Sequence, residues 1–185
     1  MTGGQVALRE FEYVRHGTQA LIASFSVATG RIIASSVGAT RTEADFAAHV
    51  ESVIQTDPES GWIFVVDQLN THKSEALVRL VARHCGIEAD LGVKGKSGIL
   101  GSMPKRAAFL SSQAHRIRLV YTPKHTSWLN QIEIWFSILV RKVLRRGSFR
   151  STEELKGRIE AFIAYFNETM ARAFKWTYKG RPLQA

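Results

Sequence analysis

The sequence predicts an α/β domain, and three observations carry that prediction. Residues 62–66 (Trp-Ile-Phe-Val-Val) form a continuous apolar run ended by Asp67, the pattern of a strand buried on both faces. A second short run, with Ile117, Leu119 and Val120, is stopped by Pro123 and followed by a long apolar helix. Around them, strand-length runs alternate with stretches whose apolar residues recur at helical spacing.

The chain has 185 residues, 45% of them hydrophobic, which is enough for one domain with a real core. No run approaches the ~20 apolar residues of a membrane span, and no N-terminal signal pattern is visible. A cytoplasmic location follows as the expectation. Cys85 is the one cysteine, which excludes an internal disulfide and a cysteine-based zinc site. The six histidines are scattered rather than clustered. A net charge of +9 favours a polyanionic partner, and nucleic acid is the default one.

Residues 9–17 alternate polar and apolar, as an edge strand or its approach does. Residues 18–27 and 31–37 read as strands joined at Thr29-Gly30 into a hairpin. Thr40 or Thr42 caps the next helix, with Glu43 and Asp45 favourable in its first turn. Phe46, Val50, Val53 and Ile54 form its inner face, and Asp57-Pro58 ends it. After the 62–66 strand, a helix over 74–85 buries Leu77, Leu80 and Val81, and Gly86 terminates it.

Residues 86–114 lose the amphipathic period and read as a basic, glycine-rich insertion. Lys94, Lys96, Lys105 and Arg106 are its candidate phosphate contacts, although a solvated loop fits equally well. The P-loop spacing is absent. Residues 115–121 form the last strand. Ser151-Thr152-Glu153-Glu154 is a capping box opening a helix that buries Leu155, Ile159, Phe162, Ile163 and Phe166. In the tail, residues 174–182 interleave aromatic and basic side chains, fit either to dock on the body or to stack on nucleic acid. The order is strand, strand, helix, strand, helix, insertion, strand, helix, helix.

The helix after Pro123 starts near Asn130, or a turn earlier, and runs to about residue 146. At about 100° per residue, Trp128, Ile132, Trp135, Phe136, Leu139 and Val143 share one face. Glu133 falls at its rim beside Asn130 and Ser137. Two readings of Glu133 are open: a carboxylate reaching a cleft, or the third-position partner of an Asn130 cap. Asp67 likewise either serves a site at a strand end or satisfies turn backbone. Arg141, Lys142 and Arg145 suit the helix C-terminus for dipole reasons and are equally candidates for DNA contact.

Together, Asp67-Gln68-Leu69-Asn70-Thr71-His72-Lys73 and His125-Thr126-Ser127-Trp128-Leu129-Asn130-Gln131-Ile132-Glu133-Ile134-Trp135-Phe136 resemble the second and third acidic motifs of DDE transposases. The closest resemblance is to the bacterial insertion-sequence 630 group, related to mariner, and it runs from about Arg9 to Pro182. It implies one ribonuclease H-like domain over residues 1–185, a mixed sheet flanked by helices. It also implies DNA cleavage and strand transfer with two Mg²⁺ (or Mn²⁺) ions. Asp67 and Glu133 are then the catalytic, metal-holding second and third acids. Asn70, His72, Lys73, Lys124 and His125 become candidates for orienting the motifs or contacting DNA. The implied partners are transposon-end and target DNA, with a homodimer plausible because transposition joins two ends.

The family's first acid lies on a first central strand. Before Thr18 the only acids are Glu10 and Glu12, neither in a matching context. The expectation is therefore a catalytic fragment lacking that strand and the N-terminal helix-turn-helix domain, with residues 5–14 partly taking the strand's place. Two functions follow: an impaired transposase domain, or a non-catalytic DNA-binding or interaction fragment that modulates a full-length transposase. A nuclease acting on RNA–DNA hybrids is a weaker third reading.

Overall fold

A computed structural model describes residues 15–123, 126 and 130–173. Its first element is an antiparallel hairpin, β1 (Ala20–Phe25) and β2 (Ile32–Gly38), in register Ala20 to Gly38. Gly30 makes the turn at φ 73°, and a Cβ there would run into the Arg172 backbone. Both the positive φ and the close approach demand glycine.

Helix α1 (Glu43–Ile54) starts at Thr42, whose hydroxyl accepts the Asp45 N–H while the Asp45 carboxylate accepts the Thr42 N–H at 2.7 Å. This reciprocal cap is the one that the threonines and first-turn acids predict. Strand β3 (Trp62–Val66) leads through Asp67 into a 3₁₀ turn at Asn70–Lys73 and then α2 (Glu75–His84), capped by Ser74. Strand β4 (Ile117–Tyr121) lies parallel to β3, pairing Trp62 with Ile117 and Val66 with Tyr121. A parallel pair requires a long crossover, and residues 67–116 supply it.

The glycine-rich stretch is more ordered than its composition suggests. A 3₁₀ turn at Ile99–Gly101 is followed by α3 (Met103–Leu110), capped by Ser102 with Pro104 in its first turn. The cap and the proline are both helix-start signals. The helix carrying Glu133 also differs from expectation. α4 (Ile132–Leu139) gives way to a π-helical turn at Val140–Leu144 instead of continuing to residue 146. α5 (Thr152–Thr169) begins at its Ser151 cap as predicted.

Two apolar clusters build the body. One packs α1, α2 and α3 on one face of β3 and β4, around Ile54, Leu77, Val81, Ile117 and Leu119. The other packs α4 and α5 on the hairpin, around Ile32, Trp135, Leu139, Phe162 and Phe166. Asn167 fixes α5 to the start of β2 by bonding both the N–H and the carbonyl of Ile32 at 2.8 Å.

The single mixed sheet expected from the sequence is replaced by two small ones. β1 pairs with β2 and β3 with β4, and among the described residues β1 and β3 are not hydrogen-bonded to each other. β3 is accordingly not covered on both faces: Ile63 is 57% and Val65 46% exposed. The apolar run is real, but the helices cover only one side of it. Residues 5–14, expected to take the central strand's place, lie outside the described residues. No described helix is long and apolar enough to cross a membrane.

His49 is what ties α1 to the hairpin. It is 2% exposed, and its Nε2 and Nδ1 meet the hydroxyls of Ser24 on β1 and Ser36 on β2 at 2.9 and 3.0 Å. A neutral imidazole donates at one nitrogen and accepts at the other, and a hydroxyl can do either. Burial pulls the His49 pKa down to about 4. The unfolded chain therefore takes up a proton near 6.5 that the folded chain refuses until about 4. His49's contribution is complete above pH 6.5, falls as the pH drops from there, and is exhausted below 4. Urea unfolding at pH 7 and pH 4.5 should show wild type losing about 2–3 kcal/mol more than His49→Gln over that interval. Equal losses would place the imidazole in water.

Candidate active site

Asp67 follows the last residue of β3, where the strand ends and the chain turns. Its Oδ1 accepts the Leu69 N–H at 3.0 Å, closing a small turn. The same oxygen lies 2.9 Å from His72 Nδ1, which is also 3.2 Å from the Asp67 carbonyl oxygen. Asp67 Oδ2 has no hydrogen bond among the described residues. The carboxylate is thus held by one oxygen and free at the other.

His72 is wedged in place. Its ring packs at a tilt of 41° against Phe46 of α1 with centroids 4.3 Å apart, and its carbonyl accepts the Tyr121 hydroxyl at 2.8 Å. Burial pulls the imidazole below the ordinary histidine value, and the Asp67 contacts oppose that pull. With Nδ1 carrying the proton, His72 donates to Asp67 and fixes its orientation.

Glu133 sits in the first turn of α4 and is exposed. The cap it fits by spacing does not form: Gln131 occupies the cap position without a side-chain bond, and Asn130 Oδ1 accepts the Ile132 N–H at 3.4 Å. The Glu133 carboxylate has no hydrogen bond or ion pair among the described residues. Trp135 and Leu139, buried below it, hold the helix so that Glu133 stays at the rim. Trp128 of the predicted face lies outside the described residues.

Asp67 and Glu133 line one cleft of about 480 Å³ between the hairpin and β3, shared by His72, Asn130 and Gln131. Its walls are otherwise mostly apolar, from β1, β3 and Phe136. Carboxylate oxygens are the ligands that hard divalent cations prefer. The donor set therefore fits such an ion in kind. In number it is short, because among the described residues no group of three or more His, Cys, Asp or Glu is placed to hold a metal.

Comparison with known proteins bears on this pair of acids. The family model described as DDE superfamily endonuclease matches residues 1–156, a span that includes Asp67 and Glu133. The chain belongs to this family. No curated protein and no solved structure matches it. DDE superfamily endonucleases act on DNA and use divalent metal ions.

The other candidate contacts of this DDE endonuclease domain are dispersed. Asn70 is exposed on the 3₁₀ turn. Lys73 turns back, donating to Gln68 Oε1 at 2.6 Å and lying 5.1 Å from the Tyr121 ring centroid. Lys94 pairs with Glu43 of α1 at 3.1 Å, while Lys96 and Lys105 are exposed. Arg141, Lys142 and Arg145 are exposed on and just after the π turn, outside the cleft lining. Lys124 and His125 lie outside the described residues.

Arg106 departs from the expectation of a phosphate contact. It is 8% exposed, with Nε donating to the Lys73 carbonyl at 2.7 Å and Nη1 to the Leu100 carbonyl at 2.9 Å. Packing of α3 on α2 turns this guanidinium inward, where it joins the insertion to the turn after Asp67. Arg106→Ala should therefore lower stability by about 1–3 kcal/mol, since it strips donors from two carbonyls. An unchanged melting temperature would return Arg106 to the list of surface cations. Two cleft residues carried no signal in the sequence, Arg41 and Gln131. Arg41 merely precedes a helix cap, and Gln131 is hidden inside the motif around it.

Proposed function

We propose that this DDE endonuclease domain is the catalytic core of a transposase of the insertion-sequence 630 and mariner type, built on a ribonuclease H-like fold. The observation that carries the reading is the convergence of Asp67 and Glu133, 66 residues apart in sequence, on one cleft. Each has a carboxylate oxygen without a partner there.

Asp67 and Glu133 would hold Mg²⁺ or Mn²⁺. When bound, two such ions supply an activated nucleophile and neutralise the leaving oxygen of an in-line phosphodiester attack. Asp67 follows the end of β3, and the Leu69 N–H and His72 engage its Oδ1, leaving Oδ2 without a partner among the described residues. Glu133 rides on a helix that Trp135 anchors in the core. The walls are mostly apolar, and an apolar surround strengthens the charge interactions beside it. The family's first acid has no counterpart among the described residues lining this cleft, where Asp67 and Glu133 are the two acids.

A second reading rests on the two-acid count among the described residues. In it the chain binds DNA or a full-length transposase subunit without cutting. Plasmid nicking in Mg²⁺ or Mn²⁺, compared among wild type, Asp67→Ala and Glu133→Ala, decides between them. Metal-dependent nicking lost in both variants supports the catalytic core. DNA binding without nicking supports the binding fragment.

A further inference from the structure

We propose that Arg41 is a phosphate-binding residue of the cleft, taking a phosphodiester of bound DNA beside the Asp67 and Glu133 carboxylates; this rests on the nucleic-acid reading above and adds a residue that neither acidic motif contains. The charge inventory of the cleft is the first ground. Among the described residues its charged lining residues are Asp67, Glu133 and Arg41, and Arg41 is the one Arg or Lys of that set. A polyanion entering a cleft with two carboxylates meets repulsion unless a cation offsets it. Arg41 is the cation so placed.

The second ground is position. Arg41 immediately precedes Thr42, the N-cap of α1, so its backbone is fixed by the reciprocal bonds between Thr42 and Asp45. In the same helix Phe46 packs against the His72 ring with centroids 4.3 Å apart, and His72 Nδ1 lies 2.9 Å from Asp67 Oδ1. That chain of contacts places the start of α1 at the Asp67 end of the cleft. From Glu43, two residues after Arg41, to Phe46 the helix rises only about 4.5 Å.

The third ground is availability. Arg41 is exposed and has no hydrogen bond or ion pair among the described residues. The acids nearest to it in sequence are otherwise engaged. Lys94 pairs with Glu43 at 3.1 Å, and the Asp45 carboxylate accepts from Thr40, Thr42 and the Thr42 N–H. The glycine-rich stretch thus has a part here, because Lys94 neutralises the carboxylate beside Arg41. A guanidinium free of partners and able to bond two oxygens at once is well matched to a phosphodiester.

The test is binding of a short DNA duplex in EDTA, with affinity followed against salt concentration for wild type, Arg41→Ala, Arg41→Lys and Lys156→Ala. Lys156 lies on the exposed side of α5 and is absent from the cleft lining. Each phosphate contact contributes about 0.9 to the slope of log affinity on log salt. Arg41→Ala should make the slope shallower by about that amount and weaken binding equally on duplexes of unrelated sequence. Arg41→Lys should keep the slope, and Lys156→Ala should match wild type. An Arg41→Ala slope equal to that of wild type overturns the proposal, as does a wild-type chain that does not bind DNA. The assay needs no metal and no cleavage. A slope change without nicking would therefore leave Arg41 standing and remove the catalytic reading, while nicking with an unchanged slope would do the reverse.

Discussion

Glu133→Gln should reduce metal-dependent nicking by at least about a hundredfold while leaving the folded protein as stable as before. Groups that merely orient a metal ligand cost about 10–100-fold when removed, so loss of a ligand's charge belongs at or beyond that limit. The fold has no stake in this carboxylate. Glu133 is exposed, without a partner among the described residues, and the amide is nearly the same size. Its melting temperature should stay within about 2 °C, the range of surface changes away from packed or bonded features. Asp67→Asn is the companion. An asparagine Oδ1 can still accept the Leu69 N–H, so the turn survives while the charge is lost. Nicking that persists in either variant would remove that residue from the metal site. A large fall in stability for Glu133→Gln would instead mean that the carboxylate bonds within the protein.

The largest expected stability effect lies two residues further along the same helix. Trp135 is 1% exposed and packs on Phe162 and Phe166 of α5, with ring centroids 6.4 and 6.2 Å away. It belongs to the cluster that joins α4 and α5 to the hairpin. Trp135→Ala should cost about 3–5 kcal/mol, the lost transfer of the indole plus the cavity it leaves. At about 2–4 °C per kcal/mol for a chain of this size, that is roughly 6–20 °C in melting temperature. Trp135→Phe should cost much less. Nε1 has no hydrogen-bond partner among the described residues, so there phenylalanine forfeits volume but breaks no bond. A melting temperature unchanged in Trp135→Ala would show that the cluster does not hold the hairpin to the helices.

Much of this was written locally in the sequence. Thr42, Ser74 and Ser151 cap helices because a hydroxyl two or three residues from an unpaired amide can act without any distant partner. The runs at 62–66 and 117–121 became strands, and Asp67 and Glu133 arrived at one cleft. Composition misled at 86–114, where glycine and lysine concealed a helix start at Ser102-Met103-Pro104. Glu133 fitted a cap by spacing, but Gln131 took the cap position.

What the chain alone determined was therefore the order of elements, most of their ends and the two acids. Those signals act over a few residues and keep their meaning in any surroundings. Only the tertiary structure decided that Arg106 turns inward to two carbonyls, that His49 joins α1 to both hairpin strands, and that Arg41 lines the same cleft as the two carboxylates. It also divided the strands into two sheets and left one face of β3 open. A charged or polar side chain has the same local preferences on a surface as in a cleft. Which of these it meets is set by elements tens of residues away, through packing that no short stretch of sequence contains.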